Sequence, residues 1–344
     1  MKGKYLLPGV VLTLIWAILG AQVRKESINS RSEEYKIAFY NVENLFDTHD
    51  DQECEDDEFL PWGIKAWNRD RLNFKLQTTA KVIIGLGKWN PPAIVGLCEI
   101  ENKAVLDMLI TDSPLVSWRF AYVHFDSPDR RGIDVAMLYQ REHFTVLGSN
   151  NIAVNLSFDS TLKTRDILYV KGLFCNRDTL HLFINHWPSR YGDYIFTSRK
   201  RMVASRILRE NVDSLYHVCK DPKIVIMGDF NDEAYDESLR FLYENDTKLH
   251  NLMKDPVKAI GEGSIKYKSQ WYVFDQILVS SNLLDPLGKI SIPDRRAWIY
   301  HPDFLLKKDE KYFGIKPFRT YSGPRYLGGY SDHLPVFIKL KVEN

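Results

Sequence analysis

The chain has 344 residues, 44% apolar, 26% charged and 13% aromatic, with 46 Lys and Arg against 45 Asp and Glu for a formal net charge of +1. These values exclude a disordered or low-complexity polymer. The even charge balance excludes strong steering of the whole molecule toward nucleic acid, so a polyanion would have to be met by a local patch.

The N-terminus opens with Lys2 and Lys4, then runs without charge from Tyr5 to Val23, with a dense apolar centre at 10–19 and small residues at Gly20 and Ala21. This predicts a secretory signal over 1–21, cleaved near Ala21, and an exported protein, periplasmic or extracellular. An uncleaved membrane anchor is the rival reading, because 19 uncharged residues can span a bilayer. Pro8 and the short apolar centre favour cleavage. A polar linker is expected over 22–34 and one folded domain over 35–344.

Strands are predicted at 36–40, 93–97, 133–139, 167–174, 179–185, 223–227, 273–279 and 334–340, which are rich in Val, Ile, Phe and Tyr. Helices are predicted at 71–86, 104–110, 198–217 and 236–244. The third is amphipathic, with Met202, Ile207, Leu208 and Leu215 on its stripe. Strands and helices without regular βαβ alternation point to a layered α+β fold. A weak two-fold echo runs through the chain. One half has a strand ending at Asn41, an apolar strand ending at Glu99 and a strand opening with Asp134; the other has the same order at His186, Asp229 and Asp275. Cys54, Cys98, Cys175 and Cys219 are widely spaced, with no zinc-type pairing; Cys98 reads as a buried thiol, and an exported location would permit disulfides whose pairing the sequence leaves open.

Two loops stand out. Residues 47–58 carry eight acids in twelve positions, read as a solvated charge run; a structural Ca²⁺ loop is the alternative, although the spacing follows no fixed oxygen-ligand pattern. Residues 294–326 carry eight Lys and Arg against four acids, with eight aromatics interleaved. That suits either an anionic ligand with stacking surfaces or a folded excursion with its own small core.

Five segments carry candidate chemistry. In Ile224-Val-Ile-Met-Gly-Asp-Phe-Asn-Asp232 an apolar strand runs into Asp229 and Asn231, two apart and so on one face: a carboxylate to take a proton from water and an amide to orient it. Glu99 follows the apolar run 93–98, where a divalent cation would offset its charge, and hard oxygen ligands favour Mg²⁺ or Mn²⁺. Asp332 and His333 precede the last strand, with Asp275 available to orient the imidazole and raise its pKa. His186 ends a strand before Pro188, and Arg190 could grip a phosphate. Asn41 and Glu43 share a face at the end of the first strand.

In this order the five segments resemble the endonuclease/exonuclease/phosphatase superfamily, which includes pancreatic-type deoxyribonucleases, abasic-site endonucleases, bacterial sphingomyelinases and inositol polyphosphate phosphatases. The resemblance runs from about Lys36 to Leu340, and Gly-Asp-Phe-Asn and Ser-Asp-His-Leu-Pro are its most specific marks. It implies a four-layer α/β/β/α sandwich of two mixed sheets. It implies Glu99 as principal metal ligand, with Glu43 and Asp332 as further ligands. It places His186, Asp229, Asn231, Asp275 and His333 in catalysis; Asn41 and Arg190 are the expected substrate contacts. The inositol phosphatase branch is disfavoured, because Ile226-Met227 and Ser331-Asp332-His333 stand where that branch has other residues. The expectation is an exported, monomeric, Mg²⁺-dependent phosphodiesterase, first of all a DNA or RNA nuclease, with phospholipid headgroups or small phosphoesters as the alternative substrates. No protein partner is expected. Either Asp229 or His333 could serve as the base.

Overall fold

The computed structural model describes residues 32–343 except 89, 157, 160, 245–247 and 255–262. The expected signal over 1–21 lies outside the described residues, as does most of the expected linker. The linker's last two residues, Glu33 and Glu34, already belong to the first strand. No helix among the described residues is long and apolar enough to cross a membrane.

In chain order the strands of the two central sheets and the small hairpins are β1 (Glu33–Leu45), β2 (Ile94–Ile100), β3 (Phe120–His124), β4 (Asp134–Gln140), β5 (Phe144–Ile152), β6 (Ile167–Phe174), β7 (Asp178–His186), β8 (Lys223–Asp229), β9 (Leu249–Asn251), β10 (Ile265–Tyr267), β11 (Gln270–Tyr272), β12 (Asp275–Ser280), β13 (Ile290–Ser291), β14 (Trp298–Ile299), β15 (Leu306–Lys308), β16 (Ile315–Pro317), β17 (Tyr321–Ser322), β18 (Arg325–Tyr326) and β19 (Val336–Val342). The helices are α1 (Arg69–Leu86), α2 (Lys103–Thr111), α3 (Tyr194–Val218) and α4 (Glu237–Tyr243). The first sheet has the order β13-β19-β1-β2-β4-β3, with β14 also on β19; the second has the order β5-β6-β7-β8-β12-β9. Each sheet holds a single parallel pair, β1 with β2 and β7 with β8.

Alternation along the strands builds the layers. In β1, Ile37 and Phe39 face the core between the sheets, while Ala38 and Tyr40 face α1 and α2. In β8, Val225 and Met227 enter the same central core, while Ile224 and Ile226 meet Ala204, Leu208 and Val212 of α3. Both faces of these strands are buried, which explains their unbroken apolar runs. The result is the expected α+β sandwich of two packed mixed sheets flanked by helices. Gly96 is needed at the centre: a Cβ there would lie 3.1 Å from both Met227 and Phe39.

All eight predicted strands and four predicted helices are present, with shifted ends. The first three helices begin earlier than the apolar stripes suggest because polar caps start them. Asn68, Asn102 and Asp193 accept from backbone N–H groups of Arg71, Val105 and Phe196. The face of α3 also differs. Thr197, Arg201, Ala204, Ser205, Leu208 and Val212 are buried, whereas Met202, Ile207 and Leu215 are half-buried. Arg201 is admitted because its guanidinium meets Asp232 at 2.8 Å. Two sizeable strands, β3 and β5, were not expected. β3 has five residues, and β5 is a mostly exposed edge strand containing Gly148, so neither shows a clear period.

All four cysteines are free thiols and Cys98 is buried. The 47–58 segment is mainly exposed, as a charge run should be, although Asp56 is buried. The 294–326 excursion folds into the β15–β16 and β17–β18 hairpins, and its aromatics make a small core: Phe59, Trp67 and Tyr326 pack around Tyr321, and Phe304 and Phe318 against Tyr330.

Candidate functional site

Strand register brings the polar strand ends to one rim. In the second sheet Asp229 lies opposite His186 on one side and Asp275 on the other. In the first sheet Asn41 pairs with Cys98, and irregularities follow at once in both β1 and β2. Glu43 (φ 55°), Asn44 (φ 59°) and Glu99 (φ 61°) adopt left-handed backbone there, as does Asn231 (φ 51°) after β8. Such a conformation costs a non-glycine residue about 1–2 kcal/mol. Its concentration at these strand ends, like the bulges, re-aims side chains off the regular sheet.

The two sheets meet through Asn41. Its Nδ2 donates to Asp229 Oδ2 at 3.1 Å and to Glu99 Oε1 at 3.3 Å, while its Oδ1 accepts from Glu43 N. Glu99 Oε2 accepts from Asn44 N at 2.9 Å. Asp229 Oδ1 accepts from Asn231 N at 3.0 Å, and Oδ2 lies 3.6 Å from His333 Nε2 and 3.8 Å from His186 Nε2. His333 Nδ1 contacts Asp275 Oδ2 at 2.8 Å. Asn231 Nδ2 donates to the Trp187 carbonyl at 3.0 Å, which fixes the direction of its Oδ1. Gly228 is forced by this arrangement, since a Cβ there would sit 2.4 Å from the Asn185 carbonyl oxygen.

Burial governs the electrostatics. It pushes the Asp229 carboxyl up to about 7, with Asp275 adding to the rise and His333 opposing it. Burial works against charge on His333, but Asp275 and Asp229 outweigh it and raise its pKa well above the ordinary value. His186 has no carboxylate so close. Burial, with Arg165 and Arg131 nearby, holds it well below its usual range and hence neutral.

Asn41, Glu99, His186, Asp229, Asn231, Asp275 and His333 thus come together. Glu43, Asp332 and Arg190 are placed differently from the simplest expectation. Glu43 accepts from Thr320 N at 2.6 Å and from Arg319 Nε at 3.1 Å, so its carboxylate is held by the excursion. Asp332 is paired with the same guanidinium at 2.9 Å. Burial and Asp332 push Glu43 up to about 7. Arg190 donates to the Asn231 carbonyl and is paired with Asp232 and Asp236; it braces the loop after β8 rather than standing free for a phosphate.

Four contributors were missed. Arg319 bridges Glu43 and Asp332. Lys75 of α1, fully buried, donates to Thr320 Oγ1 at 2.7 Å and to the Tyr330 carbonyl at 2.6 Å. Arg131 donates to Asn44 Oδ1 at 2.6 Å and stands 4.0 Å from Glu99. Ser331 Oγ donates to the Asn41 carbonyl at 2.7 Å and accepts from His333 N, linking the two motifs. The -Arg-Gly- step before β4 and the Ser of Ser-Asp-His were the available signals for the last two.

The donor set fits a hard divalent cation. Glu99 is partly open, with its Oε1 beside Asn41 and the raised Asp229 carboxyl just beyond, and buried Asp275 Oδ1 has no hydrogen-bond partner. Asp229, Asp275 and His333 also offer ligand atoms within 4.8 Å of one another. Carboxylate oxygens of this kind suit a hard divalent cation, with Arg131 at 4.0 Å from Glu99 as the nearby competing charge.

Comparison with known families gives one match, the endonuclease/exonuclease/phosphatase family, over residues 36–342. The chain belongs to that family. Enzymes of the family hydrolyse phosphoesters and depend on divalent metals. Among solved structures, a family protein from Bacteroides thetaiotaomicron is 14% identical with a TM-score of 0.56, covering 92% of this chain and 97% of its own. A mannosyl-6-phosphatase from the same organism is 13% identical with a TM-score of 0.55, covering 89% and 99%. D. rerio TDP2 complexed with single-strand DNA product is 15% identical with a TM-score of 0.54, covering 90% and 99%. At these identities the likeness concerns the fold. No curated protein matches the chain.

Proposed function

We propose that this family member is an exported, Mg²⁺- or Mn²⁺-dependent phosphodiesterase with a nucleic-acid strand as its principal substrate. The observation that carries the reading is the joining of Glu99 and Asn41 from one sheet to Asp229, His186, Asp275 and His333 from the other. Export rests on the composition of residues 1–21. The nucleic-acid preference rests on the basic character of the 294–326 excursion, which brings Lys316 and Arg319 beside the site.

Glu99, with Asn41 beside it, would hold the metal, which supplies charge neutralisation at the phosphoryl oxygens. Asp229 takes a proton from the attacking water, and Asn231 orients that water through its Oδ1. A carboxyl raised to about 7 is well matched to that proton transfer near neutral pH. His333, kept protonated by Asp275 and Asp229, donates to a phosphoryl or leaving oxygen, which favours Asp229 over His333 as the base. Neutral His186 offers a further hydrogen bond to the phosphate.

A small phosphoester is the second reading, favoured by the modest size of the half-open cavity beside the site, about 250 Å³. The fold-level neighbours include both a mannosyl-6-phosphatase and a DNA-bound TDP2. Plasmid DNA, RNA, sphingomyelin, nucleotides and sugar phosphates, each assayed with Mg²⁺ or Mn²⁺ and with chelator, separate these readings. Polymer cleavage supports the first. Turnover of monomers alone supports the second.

A further inference from the structure

Beside the catalytic cluster lies a cavity of about 250 Å³ whose walls carry Lys266, Lys268, Lys316 and Arg319, two tyrosines, Tyr267 and Tyr312, and the carboxylates of Asp309 and Asp332. The four cations exceed the two acids by two charges, in a chain whose overall charge is nearly zero. Lys266, Lys316 and Arg319 are anchored by ion pairs, while Lys268 is exposed at the rim. Asp309 is 2% exposed, and its two oxygens hold Lys266 at 3.0 Å and Lys316 at 3.1 Å. Lys266 is itself buried and also donates to the Phe313 carbonyl at 2.7 Å. Lys268 lies 5.3 Å from the Tyr267 ring centre.

The cavity shares a wall with the site. Ile265, next to Lys266, forms a backbone bridge with His333, and Arg319 joins Asp332 to Glu43. Lys266, Lys268 and Lys316 take no part in the Asp229–His333 cluster, so their positive charge faces space beyond the phosphoester that is cleaved. Ammonium groups anchored on Asp309, with Lys268 and two tyrosines at the rim, form a recognition site for an anion attached to a sugar or a base.

We propose that this cavity binds a second anionic group of the substrate, a phosphate or carboxylate carried about one sugar's length from the phosphoester that is cleaved. The proposal rests on the phosphoester-hydrolase reading and deepens it. The preferred substrates are those with two anionic groups, whether successive phosphates of a strand or the two ends of a small bisphosphate.

Calorimetric binding of thymidine 3′,5′-bisphosphate and thymidine 5′-phosphate, at low salt with chelator present, tests this without turnover. The wild-type chain is expected to bind the bisphosphate about tenfold more tightly, a preference that shrinks as salt is raised. Lys268→Gln with Lys316→Gln should bring the two affinities together, while Lys268→Arg with Lys316→Arg retains the difference. Should the double Gln variant not fold, the single Lys268→Gln should still lower the ratio. Equal affinities in the wild type, or a preference untouched by the Gln variants, would overturn the proposal. A protein that keeps the preference yet hydrolyses no phosphoester with Mg²⁺ or Mn²⁺ would remove the functional reading and leave the anion site standing.

Discussion

At the scale of single residues, Asp229 is held by Asn41, Asn231 N and the neighbouring imidazoles with both of its oxygens engaged, so small changes there have defined consequences. Asp229→Asn keeps the shape and removes the proton acceptor; kcat should fall about 10³-fold, with substrate binding retained. Steady-state kinetics paired with equilibrium binding on the variant checks both halves. Gly228→Ala should be far more damaging than its one methyl suggests, because that methyl would overlap the Asn185 backbone. Loss of both activity and thermal stability is expected. Away from the site, buried His181 is pulled down to about 4 by burial, with Lys171 adding to the shift. The unfolded chain then binds a proton between about pH 6.5 and 4 that the folded chain refuses, so stability falls as pH drops through that window. Urea midpoints of the wild type and His181→Gln across that range should converge toward low pH. Asp229 and Glu99 were legible because each is a polar residue at the end of an apolar strand, and His333 because it stands in Ser-Asp-His-Leu-Pro just before one. Arg319 and Lys75 were not, because a basic residue in a loop or on a helix reads as solvated until a distant carboxylate or carbonyl is seen to claim it.

Elements explain what single residues could not show. The excursion is part of the site's scaffold: Thr320 N and Arg319 hold Glu43, and Lys75 fastens α1 to Thr320 and to the Tyr330 carbonyl. Burial lowers the Lys75 pKa to about 8, against the pull of Glu43 and Asp332. Lys75→Met should leave buried acceptors unpaired and cost about 2–3 kcal/mol, read as a lower urea midpoint. Because the same change frees the wall carrying Arg319, KM should rise more than kcat falls. Of the two alternatives for this segment, the folded excursion is realised, since its aromatics pack inward, while Lys316 and Arg319 from it reach the wall of a cavity. The face of α3 shows the limit of periodicity. Arg201 sits at a core position because Asp232, on the loop after β8, is there to meet it, and no helical count reveals that partner. β5 was missed for the opposite reason: an exposed edge strand has no apolar period to read.

Across the whole molecule the two-fold echo is structural. In each half a parallel strand pair is followed by an antiparallel strand opening with an aspartate, Asp134 in one and Asp275 in the other. Each aspartate holds a histidine, His124 at 3.0 Å and His333 at 2.8 Å. Face-to-face packing of these halves brings the strand ends together, and Gly96 allows the close approach of Met227. Gly96→Val should force the sheets apart and cost about 1–3 kcal/mol by overpacking, with activity falling as the two halves of the site separate. The claim on which everything else depends is that residues of both sheets act as one metal-dependent centre for phosphoester hydrolysis. The most direct measurement is the hydrolysis rate of the best substrate, with chelator and after added Mg²⁺ or Mn²⁺, for the wild type, Glu99→Gln from the first sheet and Asp229→Asn from the second. The account predicts no turnover in chelator, restoration by the metal in the wild type, and loss of about 10²-fold or more in each variant. Undiminished hydrolysis in chelator, or full activity in either variant, would contradict it.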